Sequence, residues 1–167
     1  MSRILSIAIF LGGFLDSVLA VAGTKIMTIP DCTLIKEAKA QGAMNPKLLL
    51  ALAKIESSKN PRALNKPHYG LLQIKYDTAK MLSFRQKPQA LLDWKVNLKI
   101  GSKYLNQKLV EYKSPKAAIA AYNAGAAYIC KKGLSLDDGK PCRRGFFVNQ
   151  KYVDRVWAVY QSKLSCS

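Results

Sequence analysis

Leu48-Leu49-Leu50-Ala51-Leu52-Ala53-Lys54-Ile55-Glu56-Ser57 is the stretch on which the reading of this chain turns. Asn45-Pro46 stands just before it, a capping residue followed by proline at a first helical position. The run that follows is apolar on every side, which predicts a helix buried all round rather than an amphipathic surface helix. That helix ends on a carboxyl group. Burial disfavours the charged form of Glu56 and raises its pKa. The partial negative charge at a helix C-terminus pushes the same way by about 0.3–1 kcal/mol. A glutamate that keeps its proton near neutral pH can serve as a general acid.

Outward from this helix the chain reads as mainly α. Asp31 is placed to cap a helix over about 32–41, which Gly42 ends. Residues 58–69 hold two prolines, two asparagines and charges without a period, so they read as loop, and 58–76 has room for a short β-hairpin. Asp77 is placed to cap a short helix holding Ala79, Met81 and Leu82, which Gln86-Lys87-Pro88 breaks. Asp93 opens the longest periodic stretch, Trp94 to Tyr112. There Leu98, Gly101, Leu105 and Leu109 share a face, and Gly101 admits another backbone. Ser114-Pro115 opens a helix that runs into Tyr122-Asn123 and stops by Gly125. A last helix, from about Asn149 to Ser162, carries Tyr152, Val153, Val156, Trp157 and Tyr160 on one side. No linker, repeat or low-complexity segment divides residues 23–167, so one domain is expected there.

Residues 1–22 have the pattern of a signal peptide: Arg3, an apolar stretch from Ile4 to Leu15, and small residues at Ala20-Val21-Ala22. Cleavage after Ala20 or after Ala22 fits. An uncleaved anchor is the alternative, but the apolar stretch is short for a span of about 20 residues. Four cysteines follow, an even number in a chain read as exported, which points to two disulfides. Of the three possible pairings, Cys130–Cys142 with Cys32–Cys166 is favoured. Cys130 and Cys142 bracket one segment containing Gly133, Gly139 and Pro141, and Cys32 and Cys166 lie near the two ends of the domain. Zinc binding is disfavoured, because no CxxC pair is present and His68 is the only histidine.

Lysine and arginine outnumber aspartate and glutamate by 27 to 10, giving a net charge of +17. Such a balance suits polyanionic surroundings, either nucleic acid or an anionic envelope polymer. Export argues for the envelope, so nucleic acid is not the expected partner. The blander reading is that scattered lysines only keep the protein soluble.

Four short motifs then stand in order: Glu56-Ser57, Gly70-Leu71-Leu72-Gln73-Ile74, Ala121-Tyr122-Asn123-Ala124-Gly125 and Tyr152-Val153. In order and spacing they resemble the soluble lytic transglycosylase family, over about Pro46 to Tyr160. The small secreted members that accompany secretion and conjugation machines are the nearest in organisation. The resemblance implies a goose-type-lysozyme-like fold and cleavage of the β-1,4 bond between N-acetylmuramic acid and N-acetylglucosamine. It also implies closure of a 1,6-anhydro ring by the muramic acid's own 6-hydroxyl. It implies Glu56 as acid and then base, and Ser57, Leu72, Gln73, Tyr122, Asn123 and Tyr152 as substrate-binding residues. No cofactor and no metal are implied. The partners implied are peptidoglycan strands and a type III or type IV secretion or conjugation apparatus, with a monomeric enzyme in the periplasm or outside the cell.

The acidic residues fit one working carboxylate. Asp31, Asp77 and Asp93 have capping roles to fill, Asp137 and Asp138 lie in the bracketed loop, and Glu37, Glu111 and Asp154 read as solvated helix faces. Trp94 and Trp157 follow helix periodicity and read as core, and His68 reads as a bystander. The sequence departs from the family pattern at three places. Asn65 replaces a serine, His68-Tyr69 replaces small residues before Gly70, and Leu72 replaces a methionine of similar volume. The loop between Glu56 and Gly70 is also about one residue shorter. Two other functions remain open on sequence: a muramidase that uses water on the same scaffold, and a non-catalytic cationic wall-binding protein.

Overall fold

The computed structural model describes residues 27–131, 136 and 143–163. The expected signal peptide, Cys142, Cys166 and most of the bracketed loop lie outside the described residues. The described chain is mainly α, as expected. It comprises helices α1 (Asp31–Ala40), α2 (Pro46–Ser57), α3 (Tyr76–Met81), α4 (Trp94–Tyr112), α5 (Pro115–Ala124) and α6 (Gln150–Gln161), with a short 3-10 helix at Pro88–Leu92.

Helix α2 is the hub. Leu48 through Ala53 are all buried, so no face of its middle turns meets solvent. Its start is fixed as the sequence predicts: Asn45 Oδ1 accepts from Leu48 N at 3.0 Å, with Pro46 in the first turn. Helices α1, α4 and α6 pack around it, and α5 fills the space between α4 and α6. Burial of these leucines contributes to the driving force at about 25 cal/mol per Å² of apolar surface.

Between α2 and α3 the chain forms a three-stranded antiparallel sheet: β1 (Leu64–Asn65), β2 (His68–Tyr69) and β3 (Ile74–Lys75), in the order β1-β2-β3. The hairpin foreseen in 58–76 is therefore two hairpins sharing a central strand. Leu64 pairs with Tyr69, and His68 with Lys75.

Of the expected caps, Asn45, Asp93 and Ser114 take their places. Asp93 Oδ1 accepts from Lys95 N and Val96 N, and Ser114 Oγ from Ala117 N. Asp31 and Asp77 do not cap. Pro30 holds the cap position of α1, and the Asp31 carboxylate pairs instead with Lys54 at 2.5 Å and Lys59 at 2.6 Å, tying α1 to the end of α2. Lys75 holds the cap position of α3, while Asp77 lies inside the first turn and pairs with Lys80 at 2.7 Å. In both cases a nearby ammonium group competes successfully for the carboxylate.

Gly101 is needed for a different reason from the one expected. The atoms nearest to a Cβ placed there all belong to the Leu72 side chain. A Cβ there would lie 2.3 Å from Leu72 Cδ1, so the glycine makes room for a side chain. Trp94 and Trp157 are partly buried against the core. Cys32 and Cys130 are both disulfide-bonded, and the partners expected for them lie outside the described residues.

Candidate active site

The last turn of α2 carries Glu56 to the edge of a cleft of about 300 Å³. Its walls come from β2 and β3 (His68, Ile74, Lys75), the preceding turn (Gln73), α3 (Thr78), α4 (Tyr104) and the end of α5 (Tyr122, Asn123, Ala124), with Gly125. Glu56 is the one carboxylate among the described residues of this lining.

Tyr152 of α6 donates its hydroxyl to Glu56 Oε1 at 2.5 Å. The pairing of α2 with α6 thus aims the carboxyl group. Burial raises the Glu56 pKa above the ordinary carboxylate value, and the Tyr152 hydrogen bond and the Arg155 charge offset only part of that. Burial, reinforced by the neighbouring Glu56, pushes the Tyr152 phenol well above its own usual range. Tyr152 therefore stays a donor wherever the protein is folded and working.

The motif Gly70-Leu71-Leu72-Gln73 is held by its backbone. Ser57 Oγ donates to Leu71 O at 2.7 Å, Asn97 Oδ1 accepts from Leu72 N at 2.8 Å, and the Tyr122 hydroxyl donates to Leu72 O at 3.1 Å. Asn97 also donates through Nδ2 to Tyr69 O at 2.7 Å and Leu91 O at 2.8 Å. Gly70 makes this clamp possible. Its φ is +70°, and a Cβ there would sit 2.3 Å from Leu91 O and 2.6 Å from Asn97 Nδ2.

The sequence-predicted residues accordingly separate. Glu56, Gln73, Tyr122 and Asn123 line the cleft, and Tyr152 reaches it through Glu56. Leu72 does not line it. Its side chain is 0 % exposed and packs into the core against Gly101, so its expected role at the substrate is corrected to a core role. Ser57 is likewise a clamp on Leu71, with its hydroxyl turned to backbone. Tyr122 is buried, its hydroxyl engaged by Leu72 O and its ring 5.0 Å from that of Tyr104. It presents part of an aromatic wall rather than a free hydroxyl.

Gln73 stands at φ +45°, and its Nε2 donates to Gly70 O at 2.8 Å and Ala63 O at 3.2 Å. With those donors engaged, the amide can offer a ligand its acceptor oxygen. Asn123 Oδ1 accepts from Asn149 Nδ2 at 2.9 Å, and Asn149 also donates to Ala120 O at 3.0 Å. That leaves the Asn123 amide nitrogen to donate.

Sequence reasoning missed Tyr104, Lys75 and Thr78 in the lining, and Asn97 and Asn149 behind it. It also set aside His68, which lines the cleft. One signal was present. Asn97, Gly101 and Tyr104 lie four and three apart, a single face of α4, which is the spacing of a helix side turned to one neighbour. Among the described residues, no group of three His, Cys, Asp or Glu side chains is placed to hold a metal ion. No described helix is long and apolar enough to cross a membrane.

Residues 33–139 match the family described as Transglycosylase SLT domain. Comparison with curated proteins gives no match. Among solved structures, the chain is similar to the 70 kDa soluble lytic transglycosylase SLT70 from Escherichia coli. Identity is 32% and the TM-score 0.49, over 55% of this chain and 16% of that one. The chain thus matches about a sixth of that protein's length. The family match covers well over half of the residues, and the chain belongs to the transglycosylase SLT family.

Proposed function

We infer that this SLT-family protein is a peptidoglycan lytic transglycosylase with Glu56 as its general acid and base. The observation that carries the reading is the site of Glu56 itself. Among the described lining residues it is the one carboxylate, at the end of a buried helix, with its pKa raised by burial and its orientation fixed by Tyr152.

The chemistry follows from one such group. Protonated Glu56 gives its proton to the oxygen linking N-acetylmuramic acid to N-acetylglucosamine, and the bond from that oxygen to the anomeric carbon breaks. The 6-hydroxyl of the same muramic acid then bonds to the anomeric carbon and gives its proton to the Glu56 carboxylate. The products are a free 4-hydroxyl and a 1,6-anhydro end, and Glu56 returns to its starting state. An internal nucleophile needs no second carboxylate to activate water or to form a covalent intermediate. Its proximity is worth up to about 7–11 kcal/mol. The Gln73 acceptor and the Asn123 donor are suited to the amide and hydroxyl groups of N-acetylated sugars, with Tyr104 and Tyr122 as apolar surface beside them.

The protein acts on the wall from the periplasm or outside the cell as a monomer, after removal of residues 1–22. Cys32–Cys166 and Cys130–Cys142 staple the exported domain. The net charge of +17 holds it near an anionic wall. The protein's role is to open the wall for a secretion or conjugation apparatus.

Zymography on peptidoglycan tests the central assignment. Glu56→Gln folds, binds strands and clears no zone, because an amide neither gives nor takes the proton. Clearing at the wild-type rate by this variant removes Glu56 from the mechanism.

A further inference from the structure

Three of the exposed large apolar side chains stand together on a short ribbon that the reaction just described does not use. Residues 128–130 pair antiparallel with 146–148. Cys130 N donates to Phe146 O at 2.8 Å and Val148 N to Tyr128 O at 2.9 Å, on either side of the bridge between Ile129 and Phe147. Tyr128 is 59 % exposed, Ile129 56 % and Phe146 39 %. The ribbon is anchored to the body of the domain. Ala127 N donates to the Tyr112 hydroxyl at 3.2 Å, Phe147 packs on the core, and Cys130 is disulfide-bonded. A fixed backbone thus holds three apolar side chains out in water.

Three cations stand beside them. Lys131 follows Cys130 directly. Phe146 N donates to Arg143 O at 3.0 Å across a turn in which Gly145 takes φ +87°, and that turn sets Arg143 and Arg144 next to Phe146. All three basic residues are exposed, and the ion pairs among the described residues involve none of them. The second arm of the ribbon lies past the residues 33–139 that match the family.

Exposed apolar side chains rimmed by charge mark a contact surface. A wall polymer supplies anions but no apolar volume, and a folded partner covers one face of a ribbon. Successive side chains of a strand point to opposite faces. Tyr128 and Ile129 therefore leave the ribbon in opposite directions, and both are more than half exposed. A lipid interface can receive both. Aromatic side chains settle there at headgroup level, and lysine and arginine meet anionic headgroups. We propose that the ribbon docks the exported protein on an anionic phospholipid surface, with Tyr128, Ile129 and Phe146 in the interface and Lys131, Arg143 and Arg144 on the lipid phosphates. Gly125, at the cleft, precedes Tyr128 by three residues, at most about 11 Å of chain. The docked protein thus works on the strands nearest the membrane. Docking is independent of the Glu56 chemistry.

The test sediments protein purified after export with two kinds of vesicle, phosphatidylcholine alone and equal parts phosphatidylcholine and phosphatidylglycerol. Wild type binds the mixed vesicles more tightly, by about tenfold or more. The variant Lys131→Gln, Arg143→Gln, Arg144→Gln binds them about a hundredfold more weakly, since each cation near an anionic surface contributes about fivefold. Tyr128→Ser with Phe146→Ser keeps the charge and binds about tenfold more weakly. Lys36→Gln, Lys39→Gln, Lys103→Gln removes as much charge from exposed positions of α1 and α4 and loses less than about threefold. Thermal melts show that the variants fold. Glu56→Gln binds the mixed vesicles like wild type, so docking and cleavage are read separately. Equal binding to both kinds of vesicle, ribbon variants that bind like wild type, or an equal loss in the α1 and α4 variant overturns the docking. Ribbon variants that lose sedimentation with sacculi but not with vesicles also overturn it and assign the ribbon to the wall.

Discussion

Asn97 is the residue whose replacement is most informative about how the site is built. Its side chain is buried and makes three hydrogen bonds, to Leu72 N, Tyr69 O and Leu91 O, at 2.7–2.8 Å. Each is worth about 1 kcal/mol net. Asn97→Ala should therefore lose about 3 kcal/mol or more, a large share of the 5–15 kcal/mol typical of a domain. Asn97→Asp is a sharper probe. It keeps an acceptor for Leu72 N but sets a second oxygen against the carbonyls of Tyr69 and Leu91. At neutral pH it should be at least as damaging as alanine, and it should recover in part under acid conditions, where a protonated carboxyl can donate to one carbonyl. Urea unfolding followed by circular dichroism measures both. A loss below about 1 kcal/mol for alanine, or an aspartate variant as stable as wild type at pH 7, refutes the clamp. Where the variants remain folded, slower wall digestion is expected, because the clamp holds the backbone leading into Gln73.

Three further outcomes are expected. The folded-state pKa of Glu56 is raised by burial, so its stabilising contribution is complete below the unfolded value and is lost as pH rises through the folded one. Glu56→Gln should then melt higher than wild type at pH 7–8 and lose that advantage near the unfolded carboxylate pKa of about 4.3. An equal difference at both pH values contradicts the buried-acid description. Tyr152→Phe removes the 2.5 Å hydrogen bond that favours the Glu56 carboxylate. The alkaline limb of its kcat/KM profile should move to higher pH as the rate drops, and a limb that stays in place argues against Tyr152 as the positioning residue. Non-reducing peptide mapping should recover Cys32–Cys166 and Cys130–Cys142, and Cys32 joined to Cys130 or Cys142 overturns that pairing.

Much of the fold was legible because its signals are local. The apolar run of α2, the Asn45-Pro46 and Ser114-Pro115 starts and the Asp93 cap each depend on residues within one turn. The failures were at positions where a distant partner decides. Asp31 has the chemistry of a cap, but Lys54 and Lys59 at the end of α2 took its carboxylate; Asp77 is the local exception, lying inside the first turn of α3 and paired with Lys80. Leu72 stands in the middle of a substrate motif, but the alternation of a tight turn sends its side chain to the core beneath Gly101. Glu56 could be singled out because a carboxyl on an apolar helix is conspicuous in sequence. Tyr104 and Asn97 share a face of α4 with Gly101, but that spacing does not say what the face meets, which here is Tyr122 for one and the Leu72 backbone for the other. His68 and Lys75 become neighbours only through the strand register, which a two-residue strand does not announce.

The most direct test of the account is the mass of the muropeptides released from purified sacculi, measured before and after borohydride treatment. Transglycosylation with Glu56 as acid and base predicts ends that resist reduction and weigh one water less than hydrolysed ends, released by wild type and absent with Glu56→Gln. Release of reducible ends alone would contradict it and assign the Glu56 cleft to a muramidase that uses water.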